Sequence, residues 1–440
     1  MIFWFIVLGA PLATLGWWVV SHGIIGRGLV PVVAANWQRR LAAHAVVAMF
    51  FGMVIGTFVW VIVERAAGLE APPVWARTLT LVWYVAALPA SCLVVMVALI
   101  AAFFMAKSKG RPRLEVTGRA GTTDRAGVAG QEINRSDVAV PSDELALDAT
   151  GYSRRRFLAT TALAAPPLLT AGFGIKSSFD QGQFRTREHI VAIENLPKEL
   201  AGLTIAHISD VHIGRYTGAG MLKRIVDATN NLRCDLIALT GDLIDYNISD
   251  LPEAIAMLRS LDAPGGVVLC EGNHDLFEDA AGFRSEIHRA GLGLLVNQRI
   301  TRKMRGIECE ISGLRWGLPG ARIRNAQFEE NFASLAASDV TGSSGAPLRL
   351  HLVHHPHAFD AAGDAGIDLT LAGHTHGGQL MLADGFGPAS LLYKYVSGLY
   401  TRRNPSGKTV SCVVSNGTGN WLPLRLSAPA EIARITLVRA

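Results

Sequence analysis

Leu203-Thr204-Ile205-Ala206-His207-Ile208-Ser209-Asp210-Val211-His212 is an apolar run that gives way at once to a carboxylate and an imidazole. Its first part, Leu203–Ser209, reads as a buried strand, short, rich in isoleucine and bounded by polar residues. The same design returns at Leu236–Thr240, which ends in Gly241-Asp242-Leu243-Ile244-Asp245, and at Val267–Cys270, which runs through Glu271 into Gly272-Asn273-His274-Asp275. Leu348–Val353 precedes His354-His355-Pro356, and Leu369–Ala372 precedes Gly373-His374-Thr375-His376. Candidate helices lie between the first three runs, near Gly220–Asn231, Pro252–Ser260 and Asp279–Ala290. Alternation of strand and helix predicts an α/β domain over residues 186–440. Sites in open α/β sheets form beyond the strand ends, where every one of these polar blocks falls.

Any one block is compatible with a turn, because Asp and Gly dominate turns. Five in succession, all rich in metal-type side chains, point to chemistry. Imidazoles, carboxylates and an amide oxygen without thiolate suit borderline divalent ions such as Mn, Fe, Zn or Co rather than Ca or a structural zinc. The donors outnumber what one tetrahedral ion uses; two ions sharing a carboxylate would employ them all, and two cations about 3.5–4 Å apart clamp an in-line displacement at phosphorus. Cys92, Cys234, Cys270, Cys309 and Cys412 stand far apart with no CxxC pair, which argues against a thiolate zinc site or a disulfide framework.

Composition separates a second half. Half of the 440 residues are hydrophobic and 18% are charged, too apolar for a wholly soluble protein and too charged for a pure membrane bundle. Net charge is only +5, so no nucleic-acid partner is expected. Residues 1–106 contain three stretches near the ~20 apolar residues a bilayer requires: Met1–Val20, Leu41–Val63 and Thr78–Ala106. Trp17, Trp18, Trp37 and Trp75 sit near the expected interfaces, and His44, one turn from a helix end, is expected to reach the headgroups. Arg27, Arg39 and Arg40, then Lys107, Lys109, Arg111 and Arg113, place the first and third loops in the cytoplasm. Residues 107–152 read as a flexible cytoplasmic linker.

Ser153-Arg154-Arg155-Arg156-Phe157-Leu158, with the weakly apolar Ala159–Gly174 behind it, resembles a twin-arginine export signal, and residues 153–175 would form it or a fourth membrane segment. Both readings leave the arginines inside and put the following domain on the outer side of a bacterial inner membrane.

The order D-x-H, G-D-x-x-D, G-N-H-D, H-x-P, G-H-x-H resembles the calcineurin-like metallophosphoesterase superfamily. The tail Leu422-Pro423-Leu424-Arg425 through Pro429-Ala430-Glu431-Ile432 is similar to its exported or membrane-anchored bacterial branch. The resemblance implies a four-layer αββα sandwich behind the N-terminal transmembrane helices, and two divalent metal ions. It puts Asp210, His212 and His376 on the first ion, Asp242 between the two, and Asn273, His354 and His374 on the second. It gives His274 the role of approaching the scissile phosphate, with Asp275 orienting its ring. His355 is expected beside the site or at the surface, Asp245 as a turn or acceptor residue, and His207, His351 and His357 in structural roles.

The implied reaction is hydrolysis of a phosphodiester or pyrophosphate bond by in-line attack of a metal-activated hydroxide, with His274 protonating the leaving oxygen, a contribution typically of about 10²–10⁴. Gly317–Pro347 and Ala383–Lys408 are candidate substrate-shaping insertions; Lys394, Arg402 and Arg403 in the second are either a phosphate subsite or solvated surface. Anchoring favours a lipid or envelope substrate. The alternatives are a phosphomonoesterase, a non-catalytic metal-binding membrane receptor, and a transporter with an accessory domain.

Overall fold

A computed structural model describes residues 10–67, 73–94, 96, 97, 100, 154–316 and 345–440. They form two compact units, divided between Phe173 and Gly174. The expected 107–152 linker, Ser153 and most of the Gly317–Pro347 insertion lie outside the described residues.

The N-terminal unit is helical: α1 (Ala10–Gly26), α2 (Trp37–Ala67), α3 (Val74–Val94) and the first part of α4 (Arg154–Gln181). Among the described residues, three helices are long and apolar enough to cross a membrane, over Trp37–Val61, Val74–Val94 and Arg156–Gln181. The expected first span is described only from Ala10, as α1. Trp17 and Phe50 pack edge-on around the buried Trp83, whose indole N–H donates to Thr14 at 2.9 Å. The ring of His44 stacks on His22 of α1 at 4.6 Å, and their Nδ1 atoms face each other.

The second unit is built from two six-stranded sheets. The first contains β1 (Phe184–Ile193), β2 (Thr204–Ile208), β3 (Leu236–Thr240), β4 (Val267–Cys270), β5 (Gly293–Leu294) and β12 (Ala430–Arg439), ordered β1-β12-β2-β3-β4-β5. The second contains β6 (Gln298–Met304), β7 (Ile307–Gly313), β8 (Arg349–Leu352), β9 (Leu369–Ala372), β10 (Gly398–Arg403) and β11 (Thr409–Val414), ordered β10-β11-β9-β8-β7-β6. Strands β2, β3 and β4 are parallel and covered on both faces, which is why their apolar runs are continuous rather than alternating.

Ile205, Leu236, Val268 and Ile435 of one sheet meet Ile311, Leu350, Leu371 and Val413 of the other in a shared core. The outer face of the first sheet is covered by α5 (Ala219–Asn231), α6 (Leu251–Arg259) and α7 (Ala280–Arg289), through Ile225, Leu258 and Phe283. The second is covered by α8 (Ala358–Asp364), through Phe359 and Ala362. The result is the expected αββα sandwich, in which each fully buried Leu, Ile or Phe contributes about 1.5–3 kcal/mol.

One expectation changes. Ala383–Lys408 is not simply an insertion, because Gly398–Arg403 supplies the edge strand β10, antiparallel to β11. Lys394 and Arg402, read as either a phosphate subsite or solvated surface, pair with Asp360 and Asp364 at 2.9 and 2.7 Å, while Arg403 donates to the Gly407 carbonyl.

Candidate metal centre

The ends of β2, β3, β4, β8 and β9 lie along one rim of the sandwich, and each of the five polar blocks leaves from one of them. Parallel pairing of β2 with β3 and β3 with β4, and of β8 with β9, brings the loops together. The turns are tight. Asp210, His212, Asp242, His374 and His376 all adopt left-handed backbone with φ between 48° and 69°, a conformation costly for non-glycine residues and concentrated at functional sites.

The glycines in the blocks are required by close approach. A Cβ on Gly373 would lie 1.9 Å from Ser209 Oγ and 2.2 Å from Asp210 Oδ2, and one on Gly272 would lie 2.2 Å from Asp242 Oδ1. Gly373→Ala is therefore expected to cost about 1–3 kcal/mol and to lower bound metal; wild-type melting and metal content in this variant would contradict the tight packing.

Donor atoms converge in two overlapping groups. His376 Nε2 lies 3.2 Å from Asp210 Oδ1 and 2.9 Å from His212 Nε2. His354 Nε2 lies 3.0 Å from Asp242 Oδ2 and 3.2 Å from His374 Nδ1. Asp242 Oδ2 is also 3.6 Å from His212 Nε2, so this carboxylate stands between the groups. Asp210–His212–His376 and Asp242–His354–His374 each have the spacing to hold a metal ion, as does the set His212–Asp242–His274.

The residues present fit divalent cations. The Nδ1–H of His354 is used by the Thr240 carbonyl at 2.8 Å, which turns the lone pair of Nε2 toward Asp242 and His374. Asn273 Oδ1, on the same rim, is buried with no hydrogen-bond partner, and an orphaned acceptor of this kind calls for a positive centre.

Charge is balanced at close quarters. Burial works against the His354 imidazolium, yet Asp242 and Asp210 outweigh it and raise its pKa to about 9. Burial opposes ionisation of both Asp210 and Asp242, but neighbouring imidazoles hold each below the usual carboxylate range. Burial takes His374 and His376 down to about 3 and about 4, leaving neutral ring nitrogens available as ligands.

His274 stands at the edge of this group, half-wrapped by aromatic rings: Phe277 at 4.5 Å and Trp421 at 5.8 Å. Its ring is not oriented by Asp275. That carboxylate accepts the amides of Leu243 and Gly272, both at 2.8 Å, and of Ile244 at 3.1 Å, tying the second block to the third. The imidazole Nδ1 instead faces the carbonyl of Asp245 and, at 3.5 Å, its carboxylate, which lies equally far from His212 Nδ1. The reason is topological: β3 and β4 are adjacent, so the third residue after Asp242 reaches the His274 ring, while Asp275 turns back beneath the loops. Burial pulls the His274 pKa down, but Asp242 and Asp245 raise it to about 9.

The other histidines divide as follows. His207 and His351 are buried and bonded to Thr240 and Ser312, each at 2.8 Å, and His357 Nε2 accepts the Lys394 amide at 3.1 Å. His355 is not at the surface; it is buried 4.8 Å from the His374 ring and 6.0 Å from Trp316.

Several supporting residues carry weak signals in the sequence. Glu271, just ahead of the third block, is fully buried, chelates Arg284 at 2.6 and 2.8 Å and accepts the Trp316 amide. Trp316 in turn covers His354 and His374, both at 5.2 Å. After β11, Asn416-Gly417-Thr418-Gly419 clamps the first block: the amides of Thr418 and Gly419 donate to the carbonyls of Ser209 and Asp210 at 2.7 and 3.0 Å. Only the clustering of Asn and Gly in that stretch hints at such a loop.

Residues 203–378 match the calcineurin-like phosphoesterase family. The chain is 30% identical over 293 residues to the uncharacterized metallophosphoesterase YkuE of Bacillus subtilis, covering 65% of this chain and 97% of that one. It is 28% identical to phosphodiesterase YaeI of Escherichia coli, covering 65% of this chain and 99% of that one. It is 30% identical to a transmembrane protein with metallophosphoesterase domain from Danio rerio over 57% of this chain, but that alignment spans only 56% of the zebrafish protein. Two paired sheets carrying metal-type side chains on one rim define a metal-binding αββα domain. The chain belongs to the calcineurin-like phosphoesterase family.

Proposed function

We propose that this protein is a dinuclear, metal-dependent phosphoesterase that hydrolyses phosphodiester or pyrophosphate bonds of a membrane or envelope substrate. The single observation that carries the reading is the convergence of seven side chains from five strand ends, with Asp242 positioned between two groups of nitrogen and oxygen donors. Asp210, His212 and His376 would hold one cation, Asn273, His354 and His374 the other, and Asp242 both. When bound, such cations supply Lewis acidity at the phosphoryl oxygens and a water acidic enough to attack near neutral pH.

The chain's own residues do the rest. His374 already presents a neutral nitrogen, and His354, whose ring is fixed by the Thr240 carbonyl, would give up its extra proton to hold a cation. His274 donates from Nδ1 to Asp245, which leaves Nε2 for the leaving oxygen, and its raised pKa keeps a proton available there. Trp421 and Phe277 stand against that ring on its exposed side.

The candidate spans support a site tethered to a membrane, and the twin-arginine-like start of α4 supports placing the domain on the outer face. The name of the Escherichia coli relative, a phosphodiesterase, favours diesters over monoesters. The test is hydrolysis of bis-p-nitrophenyl phosphate by the full chain: turnover should vanish with chelator and return with manganese. Metal binding without turnover would instead favour a receptor. His274→Ala is expected to keep its metal while losing about 10²–10⁴-fold in rate on poor leaving groups and much less on nitrophenolate; equal losses on both would remove it from the acid role.

A further inference from the structure

The last turn of α4 ends on the rim of the metal centre. This helix is long and apolar enough to cross a bilayer over Arg156–Gln181, and from Gly174 onward it belongs to the same compact unit as the site. There Ser177 Oγ accepts the Arg425 amide at 3.2 Å, Asp180 accepts the Ser427 amide at 3.0 Å, and the Gln181 carbonyl accepts Asn420 Nδ2 at 3.2 Å. Next to Asn420 stands Trp421, half-exposed, 5.8 Å from the His274 ring and 6.2 Å from the His376 ring.

Residues 379–392 run along the same loop. The Leu422 amide donates to Gln379 Oε1 at 3.0 Å, the Met381 amide to the Leu426 carbonyl at 2.9 Å, and the Leu426 amide to the Gln379 carbonyl at 2.8 Å. A tight turn then joins Leu382 to Phe386, and a short helical turn leads to Leu391 and Leu392. All four of these side chains are exposed, Leu382 by 77% and Leu391 by 87%. Ile175 and Phe179 of α4 are exposed as well. Large apolar side chains gathered on neighbouring segments mark an interaction surface.

The geometry points to a lipid leaflet as the occupant of this surface: Leu382, Phe386, Leu391, Leu392 and Trp421 form a bilayer-docking rim, and the metal centre receives phosphoester headgroups standing at that leaflet. The occupant follows from continuity, since the loop that carries Trp421 is bonded to the last turn of the membrane helix, so the surface lies where that helix meets the interface. Amphipathic rims bind bilayers by burying such side chains at the boundary of headgroup and acyl chain. The docking stands on geometry; only the supply of headgroups to the site rests on the phosphoesterase reading.

The test uses the full chain in vesicles of phosphatidylcholine and phosphatidylglycerol. With Cys92→Ser removing the exposed thiol, nitroxides are placed at Phe386→Cys and Leu391→Cys, and at Lys223→Cys on α5 as an aqueous control. The expected result is faster relaxation by oxygen than by a water-soluble nickel chelate at 386 and 391, and the reverse at 223. Aqueous behaviour at both rim positions overturns the docking.

A second arm compares soluble bis-p-nitrophenyl phosphate with a nitrophenyl phosphodiester of diacylglycerol in the same vesicles, using the combined Leu382→Asn, Phe386→Asn, Leu391→Asn and Leu392→Asn variant. Soluble turnover should stay within about twofold and lipid turnover fall at least about tenfold, as expected when even one buried apolar side chain is lost. Parallel loss on both substrates, or no loss on either, overturns the headgroup supply. If the unaltered chain hydrolyses neither substrate, the phosphoesterase reading fails while the nitroxide depths still decide the docking.

Discussion

Asp242→Asn is expected to lower phosphoester turnover by at least about 10²–10³-fold and to reduce the metal bound per chain. The magnitude follows from what this carboxylate touches. Oδ2 lies 3.0 Å from His354 Nε2 and 3.6 Å from His212 Nε2, between the two donor groups, while Oδ1 accepts the His274 amide at 2.8 Å. An amide keeps the shape and one acceptor oxygen but removes the charge that both groups share. Residues outside the ligand set of a metal typically cost 10–100-fold when altered, so a carboxylate standing between both donor groups should exceed that range. Elemental analysis of the purified variant beside kcat on bis-p-nitrophenyl phosphate checks it. Unchanged metal content with turnover within about threefold of the unaltered chain would remove Asp242 from its shared position.

Arg425→Met should destabilise the second unit by about 3–5 kcal/mol, roughly 6–20 °C in Tm for a unit of this size. Arg425 is fully buried, and although burial lowers its pKa to about 10, it stays charged at neutral pH. Its guanidinium donates to Asn420 Oδ1 at 2.7 Å and to the carbonyls of Ala428 at 2.7 Å and Asn416 at 3.2 Å, with Gly419 at 2.5 Å. Methionine fills much of the volume but leaves these acceptors buried without donors, and that desolvation is the main cost. The loop they belong to holds the backbone of Ser209 and Asp210, so metal affinity should fall together with stability. Thermal denaturation in detergent, with and without manganese, reads both. A loss below about 1 kcal/mol with unchanged metal content would show that the loop is held by other contacts.

The distribution of legible and hidden features has a physical pattern. β3, β4 and β9 coincide with their apolar runs because a strand covered on both faces must be apolar throughout. β1 and β12 escaped that reading, although they pair in parallel along their whole length, from Phe184 with Ala430 to Ile193 with Arg439. Part of β1 faces solvent and carries Arg185, Arg187 and Glu188, so no continuous apolar run betrays it. Glu431 is buried inside β12 and answered by Arg185 at 3.2 Å across the sheet, a pairing invisible without the register.

Residue type and order alone determined the α/β architecture, the apolar N-terminal half and the donor set, because burial periodicity and ligand chemistry are local properties written along the chain. Tertiary structure alone decided which groups meet. It gave the His274 ring to Asp245 rather than Asp275, buried His355, and made Arg425 the tie beneath the first polar block. Such assignments depend on distances between residues far apart in the chain, and those are set only when two sheets close on a common core and bring five strand ends to one rim.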